Sequence, residues 1–86
     1  TSPGVADTLA VAYYQKGDYS LAAELVEEAL KKAPNDPDLN YHMGLIYQHQ
    51  QNKAKAAEYL ERVLKLDPGY ASAGEIRKTL ATMGNG

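Results

Sequence analysis

The sequence predicts an all-α protein, a superhelical array of helix–turn–helix repeats, on three observations. Residues 3–36 align without a gap on residues 37–70, a period of 34 residues with nine identical positions. A fixed period of this length marks a helical repeat array, in which each unit buries its apolar face by stacking on a neighbour. Alanine, leucine, glutamate and lysine dominate the composition. Prolines and glycines divide the chain into five predicted helices.

The first predicted repeat, residues 3–36, contains two helices. The first runs from about Val5 to Lys16. Gly17 can adopt the left-handed backbone that ends a helix, and Asp18 then caps the second helix, at about residues 19–32. The apolar residues that recur at helical spacing and face inward are Ala6, Leu9, Ala10 and Tyr13 on the first helix, and Ala22, Ala23, Val26, Ala29 and Leu30 on the second.

The second predicted repeat, residues 37–70, follows the same plan. Asp36 caps its first helix, which runs to about Gln50, and Pro37 lies in the first turn, where proline is tolerated. Pro68 follows the end of its second helix. Its inward residues are Leu39, Met43, Gly44, Ile46 and Tyr47, then Ala56, Ala57, Leu60, Val63 and Leu64.

The turn inside the second repeat lacks the glycine of the first. Gln51 stands at the register position of Gly17, and a left-handed backbone there would be strained by roughly 1 kcal/mol. We therefore expect an irregular bend, with Asn52 capping the fourth helix at about residues 53–66.

The final segment, residues 71–83, breaks the repeat. Arg77 and Lys78 stand where the repeat requires apolar and small residues. The segment still has one apolar stripe opposite its charged side chains, so we predict a solvating helix that caps the array. The stripe consists of Ala73, Ile76, Leu80 and Met83.

Length and charge limit the function classes. Eighty-six residues make one small domain, and two repeats are fewer than the roughly three that an independent array needs. The start Thr1-Ser2-Pro3-Gly4 leads us to expect a fragment of a longer protein. The formal charge of -2 argues against nucleic-acid binding. No apolar run approaches the ~20 residues of a membrane span, and both cytoplasmic and periplasmic locations stay open.

The residues capable of catalysis are not arranged for it. His42 and His49 are seven positions apart, about 10 Å along a helix, which is too far to share a metal ion. The sequence contains no cysteine, and no glycine loop is placed to hold a phosphate. We expect no enzymatic activity, no metal and no cofactor.

The pattern of residues resembles the tetratricopeptide repeat family. In the first repeat the resemblance rests on Leu9, Ala10, Tyr13, Gly17, Tyr19, Ala22, Val26, Ala29 and Pro34, and in the second on Met43, Gly44, Tyr47, Ala56, Leu60, Val63 and Pro68. The sequence departs from the family pattern at Asn40, Gln51 and Lys53. Ala10 and Gly44 allow paired helices to approach closely.

The resemblance implies a non-enzymatic protein–protein interaction module. In this family the first helix of each repeat lines a concave groove for peptides or partner proteins. The corresponding residues here are Asp7, Val11, Tyr14, Gln15, Tyr41, His42, Leu45, Gln48 and His49. Asp7, Val11 and His42 replace the basic and amide residues with which some members hold a carboxylate, so such a clamp is excluded. The overall character resembles C-terminal repeats of bacterial scaffold proteins.

Two alternatives stay open. Some groove residues could instead pack between repeats or against the last helix. The chain could also be a structural module that forms a homodimer and has no ligand of its own. The apolar strip available for self-association consists of Val5, Thr8, Ala12, Leu21 and Leu25.

Overall fold

The computed structural model describes residues 2–84, which form five α-helices and no strand. The prediction of an all-α helical array is thereby confirmed. Thr1 and residues 85–86, which belong to the predicted domain of residues 1–86, lie outside the described residues. No helix among residues 2–84 has the length and apolar character needed to cross a membrane. The helices are α1 (Pro3–Gln15), α2 (Tyr19–Lys32), α3 (Pro37–His49), α4 (Lys53–Leu66) and α5 (Ala73–Gly84).

Each of the first four helices begins with a side-chain cap. Asp18, Asp36 and Asn52 cap α2, α3 and α4 as predicted, through backbone N–H donors two or three residues on. The start of α1 was predicted too late. Ser2 Oγ accepts a hydrogen bond from Val5 N at 3.2 Å, and Pro3 occupies the first turn. A serine followed by proline is a helix-start signal.

The two turns inside the repeats have the same geometry, and the irregular bend expected at Gln51 is wrong. Gly17 has φ +86°, and Gln51 has φ +61°. The N–H of Asp18 donates to the carbonyl of Tyr13 at 2.9 Å, and in the second turn Asn52 N donates to Tyr47 O at the same distance. Packing of α3 against α4 therefore imposes the left-handed conformation on a glutamine that does not favour it.

The helices pack in chain order, α1 on α2, α2 on α3, α3 on α4 and α4 on α5. Gly44 lies at a close contact between α3 and α4, because a Cβ built there would lie 2.7 Å from Leu60 Cδ2. A main core cluster is formed by Ala6, Ala10, Ala22, Val26, Ala29, Leu39, Met43 and Ile46. A second cluster, under α5, is formed by Leu60, Val63 and Ile76.

The outward face of α1 carries apolar residues that the described chain does not cover. Leu9, expected to face inward, is 45% exposed, and Val5 is 60% exposed. In the 34-residue register these positions correspond to Met43 and Leu39, which are 0% and 1% exposed. The difference arises because α2 covers α3, whereas no helix among residues 2–84 lies on the equivalent side of α1.

Asn40 is a fully buried polar residue that fixes the connection between α2 and α3. Its Nδ2 donates to Pro34 O at 3.1 Å and to Asp36 O at 2.9 Å. Its Oδ1 has no hydrogen-bond partner among residues 2–84. At this position, where the family more often has an aromatic residue or alanine, Asn40 therefore makes two hydrogen bonds that hold the loop.

The last helix has the amphipathic character that the sequence predicted. Ala73 and Ile76 are buried, and Arg77 and Lys78 are exposed. The helix begins at Ala73, two residues later than expected. It lies against α4 and covers the second cluster.

Candidate partner-binding groove

A groove runs between α1 and α3 and contains a cavity of about 160 Å³. Ala10 and Ile46 are buried at its base, and Val11 and Leu45, which share a register position, are half-buried in its walls. Packing therefore leaves an apolar concavity partly open to solvent. The complete lining consists of Ala10, Val11, Tyr14, Gln15, Tyr41, His42, Leu45 and Ile46.

Most of the groove residues named from the sequence lie together in this cavity. Asp7 is hydrogen-bonded to one of the lining residues, whereas Gln48 and His49 are exposed and do not line it. The lining also includes Ala10 and Ile46, which the sequence assigned to the core. Six of the predicted residues line the cavity, namely Val11, Tyr14, Gln15, Tyr41, His42 and Leu45.

A hydrogen bond joins the two groove helices. The imidazole of His42 on α3 donates through Nδ1 to Asp7 Oδ1 on α1, at 2.6 Å. The side chains are 27% and 19% exposed, respectively. An ionised carboxylate accepts several hydrogen bonds, so Asp7 retains acceptor capacity beyond this contact.

A second polar contact closes the same end of the groove, and the sequence did not predict it. Tyr70 lies in the loop before α5, and its hydroxyl donates a hydrogen bond to Asp38 Oδ1 at 2.5 Å. The rings of Tyr70 and Tyr41 have centroids 5.4 Å apart. Burial, followed by the hydrogen bond and the negative charge of Asp38, raises the pKa of Tyr70. The sequence held one indication that Tyr70 has a different role: this tyrosine stands at the register position of Asp36, which caps α3.

The opposite end of the groove is aromatic. Tyr19 and His49 stack with centroids 4.9 Å apart and planes at 18°, and Tyr14 meets both rings edge-on. Burial is the main cause that raises the pKa of Tyr14, with smaller contributions from Tyr19 and Tyr41. His49 therefore belongs to this cluster, while His42 pairs with Asp7 at the other end.

The groove tyrosines have two kinds of contact. Tyr14 packs against the main core cluster and Tyr41 against the cluster under α5, yet each also lines the cavity. Half-buried tyrosines offer an apolar ring and a hydroxyl to a ligand, and this combination is common in protein interfaces. Their packing holds the rings in place.

Comparison with known proteins agrees with this architecture. The family model described as tetratricopeptide repeat matches residues 8–71. The tomato (Solanum lycopersicum) "Probable UDP-N-acetylglucosamine--peptide N-acetylglucosaminyltransferase SPINDLY" is 38% identical over 55 residues, which is 64% of this chain and 6% of that protein. The human (Homo sapiens) "RANBP2-like and GRIP domain-containing protein 1" and its relative numbered 2 are each 36% identical over 56 residues. These matches cover 65% of this chain and 3% of each human protein.

Proposed function

The chain belongs to the tetratricopeptide repeat family, and from this premise we propose that it binds a peptide or partner protein in the groove between α1 and α3. Repeats of this family generally mediate protein–protein interaction. We propose a binding role without catalysis. The transferase name of the tomato relative describes a protein of which the match covers 6%. A place in a bacterial scaffold stays a prediction from the sequence.

The observation that carries this proposal is the cavity of about 160 Å³ with aromatic residues at both ends. Tyr14, Tyr41 and Leu45 are half-buried and present apolar surface to it. Apolar clefts with a few polar groups are the usual form of a binding site, since burial supplies free energy and the polar groups supply orientation. The partner's apolar side chain would gain about 25 cal/mol for each Å² removed from water.

Alanine substitution of the groove tyrosines tests the proposal. Partners are captured with the wild type and identified, and their affinities are then measured with the purified Tyr14→Ala/Tyr41→Ala variant. We expect the affinity to fall at least tenfold, because both rings line the cavity and truncation removes their apolar contact with the partner. Leu66→Ala, an exposed apolar residue on α4 outside the cavity lining, is the matched control. Circular dichroism must give unchanged helical content.

A second variant separates the loss of binding from a loss of packing, since Tyr14 and Tyr41 also pack against the core clusters. Leu45→Gln puts an amide in the cavity wall without removing an aromatic ring. Undiminished affinity in both folded variants would exclude the groove as the binding site. A loss of affinity in Leu66→Ala as well would point to a different surface.

Self-association is a second candidate function, favoured by the exposed face of α1. Val5 and Leu9 are 60% and 45% exposed, at register positions that are covered in the second repeat. Exposed apolar faces of this kind are used in protein contacts. Sedimentation equilibrium should then give a dimer that Leu9→Glu dissociates. A monomer at all accessible concentrations would contradict self-association and leave the groove proposal unaffected.

A further inference from the structure

The size of the groove cavity limits what it can accept. Sites for complete small molecules usually enclose about 300–1,000 Å³, whereas this cavity encloses about 160 Å³. It therefore has room for one large apolar side chain of a longer ligand. The walls formed by Val11 and Leu45 and the tyrosines at both ends match an aliphatic or aromatic side chain better than a polar one.

The end of the groove near Tyr41 is acidic. Asp38 bonds to the hydroxyl of Tyr70, and Asp7 bonds to His42, the neighbour of Tyr41 in sequence. The charges of Asp38 and Asp7 both contribute to raising the pKa of Tyr70, after the larger effect of burial. Asp38 lies on α3 and Asp7 on α1, so two helices contribute a carboxylate to this end of the groove. Among residues 2–84, no Lys or Arg lines the cavity.

The helix N-terminus at this end does not neutralise the carboxylates. The first turn of α3 carries a positive partial charge of about half a unit. The negative charges of Asp36 in the cap and Asp38 in the first turn together exceed this positive partial charge. Asp7 adds further negative charge from α1. The end of the groove is thus negative at neutral pH.

We propose that the groove selects a basic–apolar segment of a partner protein, one that combines a large apolar side chain with a neighbouring arginine or lysine. This inference rests on the proposed function. One large apolar side chain of that segment enters the cavity between Tyr14 and Tyr41. An adjacent arginine or lysine lies over the Tyr41 and Tyr70 rings and bonds to Asp38 and Asp7. The charge of this end and the apolar cavity beside it jointly define the ligand.

Arginine fits this end better than lysine. Its planar guanidinium stacks on aromatic rings and donates several hydrogen bonds in one plane, so it can contact a tyrosine face and a carboxylate together. An acidic partner would place like charges opposite Asp38 without a neighbouring lysine or arginine in the cavity lining. Like charges placed opposite each other are unfavourable, so the groove disfavours acidic partners.

A peptide selection tests the proposal. A random linear-peptide library displayed on phage is selected on the wild type, with counter-selection on the folded Tyr14→Ala/Tyr41→Ala variant. We expect enrichment of sequences that combine an arginine or lysine with one large apolar residue at a fixed spacing. Enrichment of acidic or uncharged sequences would overturn the proposed selectivity while leaving the groove proposal intact. Absence of any sequence preferring the wild type would instead contradict the groove itself.

Charge substitutions then test the acidic end with the enriched peptides. Asp38→Asn and Asp7→Asn keep the shape and the hydrogen-bond acceptor of each side chain and remove its charge. Each should weaken binding about two- to fivefold, the range for partly exposed ion pairs. Glu24→Gln, exposed on α2, makes the same change in net charge away from the cavity and should have no effect.

Ionic strength supplies an independent measurement. Added salt should weaken binding of the basic–apolar peptides to the wild type, and should weaken it less in Asp38→Asn. Equal affinities of the wild type and both aspartate variants, with no dependence on salt, would show that the acidic end takes no part. Loss of affinity in Glu24→Gln of the same size would assign the effect to net charge alone, and would overturn the proposed contact.

Discussion

The contact between Gly44 and Leu60 predicts a measurable coupling between two substitutions. A Cβ at Gly44 would lie 2.7 Å from Leu60 Cδ2 and 2.8 Å from Leu60 Cγ. In the first repeat the same register positions hold Ala10 and Val26, both buried. Alanine plus valine and glycine plus leucine each contribute four side-chain carbons. The two repeats therefore place the same apolar volume in this contact but divide it differently between the helices.

The expected changes in the free energy of unfolding follow from this different division of volume between the helices. Gly44→Ala overpacks the contact, which typically costs about 1–3 kcal/mol, and gains about 1 kcal/mol of helix propensity. Its net effect should be a loss of about 1 kcal/mol. Leu60→Val removes one methylene from a buried side chain and should cost about 1 kcal/mol. The double variant recreates the first-repeat pair, so its stability should equal or slightly exceed that of the wild type.

The coupling energy is the quantity to measure. Urea denaturation of the wild type, both single variants and the double variant, followed by circular dichroism, gives four free energies of unfolding. We expect a favourable coupling of about 2 kcal/mol between the substitutions. A coupling below about 0.5 kcal/mol, the limit for independent sites, would refute the assignment of this contact and the exchange of volume between repeats.

Three further predictions concern single positions. Gln51→Gly should raise the free energy of unfolding by about 0.5–1 kcal/mol, since it relieves a left-handed glutamine; a loss in urea denaturation would mean that the turn is unstrained. Asn40→Asp should lower the stability of the fold more than Asn40→Ala. Both variants lose the two hydrogen bonds donated by Nδ2, and only Asn40→Asp buries a charge beside backbone carbonyls; equal melting temperatures of the two variants would contradict this. Stability should fall as pH rises above about 10, because burial and Asp38 raise the folded-state pKa of Tyr70 above its unfolded value. Tyr70→Phe should make that alkaline decline shallower in urea titrations, and an unchanged slope would argue against the hydrogen bond.

The local features of the fold were predictable because they depend on neighbouring residues. Asp18 and Asn52 are capping residues directly before helices, and their backbone partners lie three positions on. The apolar spacing in α2 and α4 gave both helices with correct bounds. The conformation of Gln51 was mispredicted, since a local preference was weighed without the tertiary packing that overrides it.

The candidate site was predictable in part. Val11 and Leu45 point away from the inward face of their helices, and a helical wheel identifies such residues without coordinates. His49 does not line the cavity, and a helical wheel gives the direction of a side chain but not its distance along the groove. It lies in the last turn of α3 and stacks on Tyr19 from α2.

The class, the period and the helices could be read from the amino-acid sequence, because spacing, caps and the 34-residue register are local properties of the chain. Which side chains meet depended on the packing of the helices. Tyr70 reaches Asp38 across 32 positions, and His42 reaches Asp7 across 35. These contacts depend on how far each helix pair is rotated on the next, a quantity that no local pattern contains. The covered Met43 and the exposed Leu9 differ for the same reason, since burial is set by the neighbouring helix.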